Sequence, residues 1–273
     1  MQPLASSPPA TRDTTPADTC HVDVTTVAFF FDLDGTLAPL APRPDAVRLP
    51  LDTANVLASL FHRACGAIAV VSGRAIDDID GLLAPLRVPA AGLHGAEIRH
   101  ADGERVRAEG YAVDAERIAS MIAPLHALVA QHPGLLLENK GSALALHYRG
   151  APELASVARD TMRALAELHA ERFVLQPGKL VFELRARHVS KGRAITTLLQ
   201  EAPFAGRTPL FAGDDLTDEA GFAEVNALGG ITIKIGDGET CARHRLPSPE
   251  ALTAWLLTLP PASPPPPSKE NGA

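Results

Sequence analysis

The stretch that decides the fold is Val27-Ala28-Phe29-Phe30-Phe31-Asp32-Leu33-Asp34-Gly35-Thr36. Its first five residues are apolar without alternation. They fit a short strand buried on both faces, as in the middle of a parallel sheet. The strand then stops at two carboxylates. That puts Asp32 and Asp34 at the carboxyl edge of a sheet, where open α/β folds hold their ligands. Two acids so close repel each other, and a metal ion is the simplest compensation.

Four further apolar runs repeat the pattern. Residues 67–71 lead into Ser72-Gly73-Arg74, 88–93 into His94-Gly95, 209–212 into Gly213-Asp214-Asp215, and 231–235 into Gly236. Helical periodicity fills the intervals over 51–65, 75–86, 191–201 and 249–257. Strands alternating with helices predict an α/β, Rossmann-like parallel-sheet core with helices on both faces.

The middle of the chain differs. Two apolar segments around Lys140-Gly141-Ser142 predict one hairpin, and two around Pro177-Gly178 predict another. Helices are expected over about 114–131, with Pro124 as a kink, and from Pro152 to about Ala170. Hairpins with helices on one face form an α+β unit. The expected organisation is a tail over 1–23, a core over 24–102 and 187–259, an inserted α+β cap over 103–186, and a Pro-rich tail over 260–273. Both tails are rich in proline and polar residues and are expected to be disordered.

Composition narrows the function. A formal net charge of −7 argues against nucleic acid as the main partner. No apolar run is long enough to cross a membrane, and residues 1–20 lack the apolar centre of a signal peptide. Cys20, Cys65 and Cys241 are widely spaced, with no disulfide framework and no zinc spacing, which fits a reducing cytoplasm.

A parallel sheet brings Asp32, Asp34 and Thr36, then Ser72, Lys191, and Asp214, Asp215 and Asp218 to one edge. Several carboxylates in a small space suit an oxygen-liganded hard cation, most simply magnesium. Lys191 follows Ser190, a good N-cap, and opens a helix, so its ammonium and the helix end both favour an anion. Acids, metal, lysine and hydroxyl together suit phosphate. One carboxylate can attack phosphorus, and a neighbouring acid can protonate the leaving alcohol and then deprotonate water. In the cap, Lys179, Val181, Glu183 and Arg185 share one strand face, and Glu138 and Lys140 share another. Acids and bases arranged so suit sugar hydroxyls. His94, in the tight loop after its strand, is expected to be structural. The remaining histidines and cysteines are expected at the surface or in packing.

The run Asp32-Leu33-Asp34-Gly35-Thr36-Leu37, the serine after the second strand, the helix-opening lysine and Gly213-Asp214-Asp215 resemble the haloacid dehalogenase superfamily of phosphatases. Gly92-Leu93-His94-Gly95, Glu138-Asn139-Lys140, Leu146-His147-Tyr148-Arg149, Gly178-Lys179 with Glu183 and Arg185, and the segment from Gly213 through Thr217-Asp218-Glu219 narrow the resemblance to trehalose-6-phosphate phosphatases. The resemblance implies hydrolysis of trehalose 6-phosphate as the last step of trehalose biosynthesis. It implies Asp32 as nucleophile, Asp34 as general acid and base, and magnesium held by Asp32, the Asp34 main-chain carbonyl and Asp214. Asp215 is counted with the metal set, while whether Asp215 or Asp218 touches the ion stays open. Thr36, Ser72, Gly73, Arg74 and Lys191 are expected around the phosphate, with Glu138, Lys140, Lys179, Glu183 and Arg185 around the sugar. Sucrose 6-phosphate or a glucosyl-glycerate phosphate is the alternative substrate, and a sensor or a phosphotransferase the alternative class. A cytoplasmic monomer, functionally coupled to the synthase that makes the substrate, completes the expectation.

Overall fold

The computed structural model describes residues 15–16 and 22–260. The expected C-terminal tail, apart from Pro260, and most of the N-terminal tail lie outside the described residues. Thr15–Pro16 is an exception: it forms a two-residue strand, β1.

The large sheet is built on β2 (Val27–Phe31), whose five residues are all buried. β2 lies between β3 (Ile68–Val71) and β11 (Thr208–Gly213), parallel to both. β4 (Ala90–Gly92) extends one side, and β12 (Ile231–Ile235), β13 (His244–Leu246) and β1 extend the other, all parallel. Two antiparallel strands, β5 (Glu97–Arg99) and β6 (Arg105–Arg107), finish the β4 side. The order is β1-β13-β12-β11-β2-β3-β4-β5-β6. Strands without alternation require cover on both faces. Helices α1 (Leu51–Arg63) and α7 (Pro249–Thr258) pack together, and so do α5 (Lys191–Leu198) and α6 (Glu219–Ala227). Helix α2 (Ile76–Leu83) packs beside β4.

Several expectations change. The β5–β6 hairpin and β13 carry charges at alternate or adjacent positions, as sheet edges do, and present no apolar run. Because β6 pairs with β5, residues 105–107 join the large sheet, although the sequence places them in the insert. Likewise β1, placed in the disordered tail, pairs with the open edge of β13.

The second sheet has the order β7-β8-β10-β9, all antiparallel: β7 (Leu136–Asn139), β8 (Leu144–His147), β9 (Phe173–Gly178) and β10 (Val181–Ala186). Helices α3 (Tyr111–Gln131) and α4 (Ala155–Leu168) pack on it. Their shared core joins Ile118, Leu125 and Met162 to Leu144, Leu146, Phe182 and Leu184. The β9–β10 turn is Lys179-Leu180, not Pro177-Gly178: Gly178 pairs with Val181, and Leu180 takes the left-handed φ of 61°. Pro177 stays within β9 because that strand is an edge, where a missing N–H costs no ladder bond. Among the described residues no helix is long and apolar enough to cross a membrane.

Candidate active site

The carboxyl ends of β2, β3 and β11 form the floor of a pocket, and the polar face of the small sheet forms its roof. On the floor, Asp32 is 4% exposed and Asp218 is fully buried. Lys191 Nζ donates to both, at 2.7 Å to Asp32 Oδ1 and 2.7 Å to Asp218 Oδ1. Ser190 caps α5 by accepting the Arg193 N–H, so Lys191 starts the helix in a fixed direction. Asp218 Oδ2 also accepts the Asp215 N–H at 3.0 Å.

Asp214 completes the acidic group. One carboxylate oxygen from each of Asp32, Asp214 and Asp218 lies within 4.8 Å of the others. Gly35, at φ +83°, makes this possible: a Cβ there would sit 2.1 Å from Asp214 Oδ2. Lys234 Nζ donates to the Asp214 carbonyl and fixes that peptide.

The electrostatics of the group are unbalanced. Three carboxylates crowd one ammonium in direct contact, Lys191, while Lys234 meets only the Asp214 carbonyl and Lys179 stays 4.0 Å from Asp214. Burial, with Asp218 and Asp215 nearby, pushes the Asp214 carboxyl up to about 7. Burial also raises Asp32 well above the ordinary carboxylate range, against the pull of Lys191. Asp214 Oδ1 is buried and has no hydrogen-bond partner among the described residues. A divalent cation fits this donor set: it relieves the repulsion among the three carboxylates and gives the orphaned oxygen a partner.

Two expected members of the metal and phosphate set are held differently: Asp215 lines the pocket but stands outside the three-carboxylate group, and Thr36 lies beneath it. Asp215 Oδ1 accepts the Leu216 N–H at 2.7 Å and, with Asp218, forms a reciprocal cap on the turn that follows, so Asp218 takes its place in the cluster. Thr36 is wholly buried, lies outside the pocket lining, and its hydroxyl has no partner among the described residues. Asp34 lines the pocket, but its carboxylate is held on both oxygens by Arg74, at 2.7 Å from Nε and 2.7 Å from Nη2. Ser72 is buried at the end of β3, and its hydroxyl accepts the Arg74 N–H at 3.2 Å. Gly73 lines the pocket beside it.

The roof follows from strand register. Glu138, Ala145, Glu183 and Gln176 lie opposite one another across β7, β8, β10 and β9. Glu183 Oε2 accepts from Lys140 Nζ at 3.3 Å. Glu183 Oε1 lies 3.0 Å from His94 Nε2, across the seam from the floor. Burial would raise the Glu183 carboxyl, but His94 and Lys140 outweigh it and hold it well below the usual carboxylate range. Burial lowers His94 against the pull of Glu183, and because an ionised Glu183 can only accept, the ring donates its Nε2–H to it. Glu138 pairs with His147 at 2.9 Å, and that bond with Lys140 lowers its carboxyl despite burial. Lys179 is largely exposed and lies 4.0 Å from Asp214 Oδ2. Arg185 is outside the lining; it donates to the Val189 carbonyl at 2.5 Å and braces Gln176 Oε1 at 3.1 Å.

The sequence reading gave no site role to His94, His147, Gln176 or Arg149, all in the lining, although three of them stand in the motifs that carry the resemblance. Arg149 donates across the seam to the Ala41 carbonyl. Period-two alternation along β8 and β9 could have found His147 and Gln176, whereas His94 and Arg149 stand out only through the family motifs and not through periodicity.

The profile of the family described as Trehalose-phosphatase matches residues 30–248. The chain is 45% identical over 229 residues to a protein named trehalose-6-phosphate phosphatase from Escherichia coli, covering 84% of this chain and 85% of that one. It is 41% identical to a probable trehalose-phosphate phosphatase of Sinorhizobium fredii, covering 87% and 89%. Its fold matches the C-terminal domain of a Candida albicans trehalose-6-phosphate phosphatase with a TM-score of 0.78 at 24% identity, over 86% of this chain and 92% of that one. A haloacid dehalogenase-like hydrolase from B. subtilis matches with a TM-score of 0.57 at 15% identity, over 85% and 100%.

Proposed function

The chain belongs to the trehalose-phosphatase family, within the haloacid dehalogenase fold, and from that premise we propose how it hydrolyses trehalose 6-phosphate to trehalose and phosphate, the last step of trehalose biosynthesis. The observation that carries this reading is the buried Asp32–Lys191–Asp218–Asp214 group directly below a sugar-suited polar sheet face.

Asp32 is the nucleophile. Lys191 holds Oδ1, which leaves Oδ2 to attack phosphorus and form an aspartyl-phosphate while the sugar oxygen departs. Asp34 gives that oxygen its proton, then takes one from the water that hydrolyses the intermediate. Arg74 serves both partners: an arriving phosphate draws the guanidinium away and frees the Asp34 carboxylate. The Ser72 hydroxyl and the Lys191 ammonium hold phosphoryl oxygens. Asp32, the Asp34 main-chain carbonyl and Asp214, with Asp218 beside them, would hold a divalent cation, magnesium in this reading. When bound, that ion offsets charge on the transferring phosphoryl group. Glu138, Lys140, Lys179 and Glu183 receive the sugar hydroxyls, and the roof excludes water when it closes on the bound sugar. Residues about 108–186 act as the cap. The reading includes a cytoplasmic monomer coupled functionally to the synthase that supplies its substrate.

The test is phosphate release from trehalose 6-phosphate, sucrose 6-phosphate and glucosyl-glycerate phosphate, each with magnesium and with chelator. The reading expects magnesium-dependent release from trehalose 6-phosphate far above the others. Equal rates on all three would remove the substrate assignment.

A further inference from the structure

We propose that His94 is a positioning residue: it sets the spacing between the phosphate end and the sugar end of the pocket by holding Glu183 in register with Ser72. The inference rests on the reading of the site as a sugar-phosphate phosphatase.

His94 lies in a turn, Leu93–Gly95, that follows β4. Leu93 and His94 both adopt left-handed backbone, at φ 51° and 58°, which side chains rarely tolerate in succession. The turn is tied to the phosphate side of the floor. The His94 N–H donates to the Ser72 carbonyl at 2.9 Å, and the Leu93 N–H donates to the Arg74 carbonyl at 2.9 Å. Between those two anchors, Gly73 leaves the ring its space: a Cβ at Gly73 would sit 2.7 Å from His94 Nε2. The imidazole then reaches 3.0 Å to Glu183 Oε1, with both residues almost completely buried.

Glu183 sits on β10, in the other sheet. Lys140 holds its second oxygen, but Lys140 belongs to the same sheet as Glu183 and cannot fix it relative to the floor. His94 is the link that does. A chain of two contacts runs from the Ser72 backbone through His94 to the carboxylate meant for the sugar. A side chain that merely filled space would need neither two left-handed residues nor a glycine opposite its ring nitrogen.

The experiment uses the full chain with magnesium and two substrates: trehalose 6-phosphate, and p-nitrophenyl phosphate, which has no sugar to position. His94→Asn keeps a residue that accepts left-handed backbone but is too short to reach Glu183. His94→Gln carries an amide nitrogen to about the place of Nε2. A hydrogen bond to a charged group predicts that His94→Asn lowers kcat/KM on trehalose 6-phosphate about tenfold to a hundredfold, chiefly through KM. Turnover of p-nitrophenyl phosphate should stay within about twofold, and His94→Gln should recover most of the loss. In a Glu183→Gln background, His94→Asn should cost no more than about twofold further. Equal losses on both substrates, equal losses for Asn and Gln, or fully additive losses with Glu183→Gln would each overturn the proposal. A wild-type chain that ignores trehalose 6-phosphate refutes the substrate reading instead. The same comparison, run on whichever sugar phosphate it hydrolyses best, then decides the role of His94.

Discussion

Removing the metal should make the protein's stability depend on pH through Asp214. Its carboxyl is pushed from an ordinary 3.8 up to about 7, and its side chain is only 6% exposed. Between those values the folded chain keeps a proton on Asp214 that the unfolded chain has released. Stability of the chelated protein therefore falls as pH rises through this window, by about 1.4 kcal/mol per pH unit, and levels off above it. Summed to pH 7, the cost of this carboxylate is about 4 kcal/mol. From pH 5 to pH 7 the loss is roughly 2 kcal/mol, or about 4–8 °C in Tm for a chain of this size. The assay is thermal unfolding in chelator across that range, for wild type and Asp214→Asn. The variant should keep only the shallower slope that Asp32 contributes and be the more stable of the two near pH 8. Saturating magnesium should restore stability to wild type more at pH 8 than at pH 5.5, and add little to the variant. Parallel pH slopes for the two chelated proteins, or equal stabilisation of both by magnesium, would refute the claim that Asp214 carries a raised carboxyl that the metal relieves.

Lys191→Met removes the one ammonium that touches Asp32 and Asp218. It should cost about 3–5 kcal/mol in urea unfolding and abolish phosphate release, because two buried carboxylates lose their partner. Gly35→Ala meets a φ of +83° and an overlap with Asp214 Oδ2. It should destabilise by about 1–3 kcal/mol and weaken magnesium binding, measured by calorimetry. Glu183 runs opposite to Asp214: its carboxyl is held below the ordinary range, so its contribution is present above about pH 4.5 and fades as pH falls. Glu183→Gln should accordingly flatten the acid limb of stability between about pH 4.5 and 3, read by circular dichroism.

What the sequence disclosed follows from where each segment sits. β2, β3, β11 and β12 are covered on both faces, so their burial is written as apolar runs ending in Asp32, Ser72 and Asp214. β5, β6 and β13 lie toward the sheet edges, where Glu97, Arg99, Arg105, Arg107 and Arg245 interrupt any such run. The acids after β11 were legible as a group but not individually. A reciprocal cap engages Asp215 at the pocket wall and brings Asp218 into the carboxylate group, and three residues of sequence do not disclose which does which. Pro177 looked like a turn because its tolerance in β9 depends on β9 being an edge. His94 was set aside for a related reason: its partner Glu183 is 89 positions away, on another sheet.

The central claim is that Asp32 carries the phosphoryl group between the two half-reactions. The direct measurement is acid quenching during turnover of trehalose 6-phosphate labelled in its phosphate, followed by peptide mapping. The account predicts a covalent label, released by hydroxylamine as an acyl phosphate is, on the peptide that contains Asp32, and no label in Asp32→Asn. Full turnover with no covalent label, or a label on any other residue, would contradict it.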